Sequence, residues 1–118
     1  MKTVTSLLAA LSLTGSLPLF AEDKAADTKE LKGEILDMAC YLDHGASGEK
    51  HSGCATKCIG SGLPVGIKAE DGKIYFVIGE HKPMNQELAA YAGKTVTLRG
   101  KVVSRDGINL LENAELAK

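Results

Sequence analysis

Two Asp-Gly pairs, Asp71-Gly72 and Asp106-Gly107, each stand between runs of apolar and β-branched residues, and they limit the folds open to this chain more than any other feature. Both positions of such a pair tolerate φ > 0, which the tight turns between twisted, paired strands require. The first pair separates residues 63–68 from 73–78, and the second separates residues 96–102 from 108–116; all four segments read as strands. Upstream, residues 31–38 read as a further strand with imperfect alternation. Between the third and fourth strands, Pro83 opens residues 84–92, where Leu88, Tyr91 and Ala92 recur at helical spacing and Gly93 supplies a left-handed stop.

The order β-β-β-α-β-β predicts a mainly β domain over residues 30–118: a five-stranded OB-fold-like barrel, with one short helix between strands three and four. Residues 91–102, Tyr-Ala-Gly-Lys-Thr-Val-Thr-Leu-Arg-Gly-Lys-Val, resemble the entry into strand four of secreted bacterial OB-fold domains, and the likeness runs over about residues 88–116. More broadly, the chain resembles small exported bacterial proteins that pair a Cys/His segment with such a barrel. The resemblance implies a barrel and carries no activity with it. In that arrangement residues 41–62, dense in Gly, Ser, His and Cys, become the loop between strands one and two, one of the loops on which OB-folds bind ligands.

The first 21 residues order themselves as a secretory signal. Lys2 precedes an apolar run from Leu7 to Leu13, then Gly15 and Pro18 break the helix before Leu19-Phe20-Ala21, and Glu22-Asp23 follow. Residues 22–29, charged and Ala-rich, read as a flexible linker. These features predict a periplasmic or secreted protein with no membrane span, since the apolar run is well short of the roughly 20 residues needed. Removing residues 1–21 takes away one lysine and no acid, leaving 13 basic against 15 acidic side chains. A slightly acidic, exported domain with few aromatic residues is a poor nucleic-acid binder.

All the sulfur nucleophiles lie within nineteen residues, at Cys40, Cys54 and Cys58, with His51 three positions before the second. An odd count leaves at least one thiol outside intramolecular disulfides. With Ser52 as N-cap, a short helix over residues 53–59 would stack Cys54 and Cys58 at i and i+4 on one face. Cys40, leaving the first strand, would complete the set Cys40, His51, Cys54 and Cys58, with His44 and Met38 as further ligands. Such a Cys3His set suits tetrahedral Zn²⁺, two or three thiolates suit Cu⁺, and soft donors exclude Mg²⁺ and Ca²⁺. A copper or zinc ion is therefore the expected cofactor, and another exported protein the expected macromolecular partner.

Two other readings stand beside the metal. A disulfide from Cys40 to Cys54 or Cys58 would staple a loop of about 15 to 19 residues and contribute roughly 3 kcal/mol, leaving a binding module for a protein or glycan. A redox accessory would instead use Cys54 and Cys58 as its exchanging pair. No Ser-His-Asp order, phosphate-cradling Gly loop or H-E-x-x-H is present, so enzymatic activity has no foothold in a motif. Glu34, Asp37 and Asp43 read as solvated charges, and His81 with Met84 as ordinary surface and core.

Overall fold

The alternation that marks the first strand reaches back to Thr28 because that strand pairs on both sides. In the computed structural model, which describes Gly15 and residues 27–118, β1 (Thr28–Asp37) runs antiparallel to β2 (Val65–Ala69) through Gly33 to Asp37 and antiparallel to β4 (Thr95–Arg105) through Thr28 to Glu34. Gly33 stands where the two ladders overlap. A Cβ there would lie 2.1 Å from the Lys68 carbonyl oxygen, so only glycine lets the strand bend between its neighbours.

The Asp71-Gly72 turn joins β2 to β3 (Ile74–Val77), with Gly72 at φ 84° and the Asp71 side chain accepting from the Lys73 amide at 2.8 Å. β3 pairs parallel with β5 (Ile108–Leu116), which returns antiparallel along β4 after Asp106-Gly107. The strands close in the order β1-β2-β3-β5-β4, a five-stranded barrel without an open edge.

Among the described residues three α-helices accompany the strands. α1 (Met38–His44), a 3-10 turn (Glu49–His51) and α2 (Ser52–Gly60) lie between β1 and β2; α3 (Asn85–Leu88) and a second 3-10 turn (Ala89–Tyr91) lie between β3 and β4. Alternating inward residues of the strands, Ile35, Ile67, Val77, Leu98 and Leu111 among them, form one core with Leu88 of α3 and with Ala55 and Ile59 of α2. Fully burying a side chain such as Ile59 is worth about 1.5–3 kcal/mol, so α2 is held to the barrel by its own apolar stripe. Hydrogen bonds fix its far end, because Asn85 Nδ2 donates to the Ile59 and Leu63 carbonyls at 2.9 and 2.6 Å.

Three local expectations change. Met38 opens α1 instead of closing the strand, with Asp37 as N-cap and Gly45 in the left-handed conformation at the other end. Ser52 lies inside α2, whose N-cap position is His51, and no side chain caps it. β1 begins at Thr28, two residues inside the stretch read as linker; residues 22–26 of that stretch and, apart from Gly15, the whole leader lie outside the described residues. Tyr75 is the aromatic of β3 that enters the core, and Phe76 on the opposite face is half-buried.

Candidate metal centre

The end of β1 sets the site. Asp37 Oδ1 accepts from the Ala39 amide at 3.1 Å, starting α1 and placing Cys40 one turn beyond the strand. The Met38 amide then donates to the Pro64 carbonyl, and the Leu63 amide to the Cys58 carbonyl, at 3.0 and 3.1 Å. These bonds tie the start of α1 to the end of α2. Cys54 and Cys58 occupy successive turns of α2, beside Ala55 and Ile59 on the buried stripe.

The three sulfurs converge. The Sγ atoms of Cys40, Cys54 and Cys58 all lie within 4.8 Å of one another. All three thiols are free, so neither the expected staple nor a Cys54–Cys58 bridge is formed. Tetrahedral Zn²⁺ with bonds of about 2.3 Å holds its sulfurs about 3.8 Å apart, so closing around an ion takes a contraction of about an ångström at most. Cys54 is exposed, while Cys40 and Cys58 are half-buried. The site is therefore reachable from solvent through Cys54.

Beside the sulfurs is a small cavity of about 30 Å³, lined in part by Asp37, Cys40, His44, Gly48, His51 and Cys54. That is room on the scale of one water or ion. Its roof is pinned by the Gly48 amide, which donates to Glu34 Oε1, and by the Gly93 amide, which donates to the Ile35 carbonyl at 2.9 Å. Gly93 sits at φ 75°, and a Cβ on it would come within 2.7 Å of the Gly48 carbonyl oxygen. The loop over the site thus depends on a second glycine.

The two expected histidines line this cavity outside the close sulfur group, and Met38 packs over Gly66. His51 lines the cavity but is exposed and stands outside the mutually close group. His44 also lines it, with Nδ1 3.2 Å from Asp43 Oδ2 at the surface. Met38 is buried with its sulfur packed over Gly66, where a Cβ would approach it to 2.3 Å. The expectation of three solvated acids fails at two of them. Glu34 is half-buried and bonds the loop, and Asp37, 3% exposed, is the one charged side chain buried among the described residues.

Asp37 dominates the electrostatics. As hydrogen-bond acceptor for the Cys40 thiol, helped by burial and then by its negative charge, it pushes Cys40 up to about 12. Cys58 is raised for the same reasons in the same order, with Cys54 adding to the effect. A carboxylate in this place keeps protons on two of the three sulfurs until something displaces them. Its Oδ2 is buried and accepts no hydrogen bond of good geometry itself.

Comparison with protein-family models, curated proteins and solved structures gave no match. Among the described residues no helix is long and apolar enough to cross a membrane.

Proposed function

We propose that this chain is a small exported metal-binding protein, built on an OB-fold-like barrel, that holds one Zn²⁺ or Cu⁺ ion through the thiolates of Cys40, Cys54 and Cys58. One observation carries the reading: sulfurs from two helices on either side of a turn-rich loop lie within 4.8 Å of one another and none is in a disulfide. Soft donors of that number and spacing suit zinc or cuprous copper, and the adjoining cavity has the scale of an ion and not of an organic substrate. Support for export comes from the signal-like order of residues 1–21, and support for the OB-fold from five strands closing in a crossed-over order around a loop-borne site. The raised Cys58 thiol weighs against exchange through the Cys54–Cys58 pair, which needs a thiolate at working pH.

The test is elemental analysis with thiol counting on protein purified under reducing conditions. One metal per chain is expected, with loss of the metal when all three cysteines are replaced by serine. Equal metal in the triple variant refutes the reading.

A further inference from the structure

We propose that Asp37 supplies the fourth donor of this centre, its Oδ2 joining the sulfurs of Cys40, Cys54 and Cys58, so that the site is built for a tetrahedral divalent ion, Zn²⁺ in preference to Cu⁺. This rests on the three-thiolate reading and specifies what completes it.

Four observations lead there. Asp37 is 3% exposed, and its Oδ2 is buried with no hydrogen bond of good geometry, only the neighbouring thiols beside the carboxylate. Native interiors rarely leave a carboxylate oxygen in that condition, because desolvation without compensation costs several kcal/mol, of order 2–7. The other oxygen is already committed to the Ala39 amide at 3.1 Å, so the N-cap role accounts for half of the side chain and leaves Oδ2 to be explained. Next, the carboxylate lies against the thiols of both Cys40 and Cys58 and lines the same cavity as Cys40 and Cys54. Asp37 is not within the 4.8 Å group itself. Coordination through Oδ2 therefore requires the carboxylate to move toward the sulfurs as the ion binds.

The third observation is charge. Three thiolates and a carboxylate total −4; a divalent ion leaves −2 and a monovalent ion −3 in a partly buried site, where residual charge is least tolerated. Cuprous ion is also satisfied by two or three thiolates and gains little from a hard oxygen, whereas zinc accepts carboxylate oxygen beside sulfur. The fourth concerns the rival donor: His51, outside the sulfur group as Asp37 is, is exposed, and no polar atom of it is buried for want of a partner.

The experiment loads the full reduced chain with Co²⁺ as a spectroscopic stand-in for Zn²⁺ and compares Asp37→Cys with His51→Cys. Asp37→Cys is expected to turn three thiolates into four, raising the thiolate-to-cobalt charge-transfer intensity by about a third, while His51→Cys leaves it unchanged. Asp37→Asn, which keeps an oxygen for the Ala39 amide, is expected to weaken Zn²⁺ at least about 10-fold and to leave Cu⁺ affinity nearly unaltered. It also opens a coordination position, so added imidazole changes its cobalt spectrum and not that of the wild type. A gain of intensity in His51→Cys, or imidazole binding to the wild type as readily as to Asp37→Asn, overturns the assignment while leaving the three-thiolate site standing. Wild-type protein that takes up neither Co²⁺ nor Zn²⁺ overturns the assignment, and failure to take up Cu⁺ as well overturns the three-thiolate site.

Discussion

Zinc loading should be driven strongly by pH, because the ion must displace protons that Asp37 holds in place. Cys40, pushed up to about 12, and Cys58, raised by the same carboxylate, are both thiols at neutral pH, and zinc takes only thiolates. Each ion bound therefore expels at least two protons from these residues. Each proton contributes tenfold in apparent affinity per pH unit, so affinity should rise about 100-fold or more from pH 6 to pH 7. Competition against a chromophoric chelator whose own pH dependence is known gives the slope, and a pH indicator in weakly buffered solution counts the protons directly. Replacing Asp37 by Asn removes both the acceptor and the charge, so the protons should leave at lower pH and the rise in affinity should level off earlier on the alkaline side. A wild-type slope well below about 100-fold per pH unit, or release of fewer than two protons per ion, would show that a sulfur is already ionised and would defeat this electrostatic account.

Three further outcomes follow from the packing and the charges. Gly33→Ala places a methyl 2.1 Å from the Lys68 carbonyl and should cost at least about 1–3 kcal/mol, read as a lower urea midpoint; an unchanged midpoint contradicts the overlap of ladders described for β1. Ile59→Ala removes a fully buried side chain from α2, with an expected loss of about 2–5 kcal/mol and weaker metal retention, since the same helix carries Cys54 and Cys58. A normal metal affinity at reduced stability would detach the site from the helix stripe. In metal-free, reduced protein the folded Cys40 thiol titrates at about 12 against an ordinary 9.0, so the native state keeps a proton that the unfolded chain loses. That contribution to stability is whole below about pH 9 and declines as pH rises toward 12. Urea midpoints that hold steady or climb across that window would contradict the sign.

The strand order was legible because its signals are local. Asp71-Gly72 and Asp106-Gly107 demand turns wherever the rest of the chain goes. The stacking of Cys54 over Cys58 follows from a spacing of four in a segment bracketed by glycines. What escaped is long-range. Residues 31–38 continue an apolar pattern into Met38, which reads as strand to its end; the Asp37 N-cap and Gly45 bracket that mark α1 are visible only when read together against that pattern. Burial of Asp37 depends on Cys40, Cys58 and the loop over the cavity closing around it, and no local window of residues encodes that. His51, close to Cys54 in sequence, falls in the 3-10 turn before α2, where it is exposed and lines the cavity beside the sulfurs.

Convergence of Cys40 with the α2 pair is the central claim, and a zinc titration of Cys40→Ser addresses it most directly. Cys40 comes from a different helix, so its loss should not disturb the Cys54–Cys58 spacing but should remove one of three sulfur ligands. The account predicts one high-affinity ion in the wild type and affinity reduced at least about 100-fold in the variant, in line with removing a thiolate whose partner set is already in place. Zinc bound to Cys40→Ser as tightly as to the wild type would contradict it.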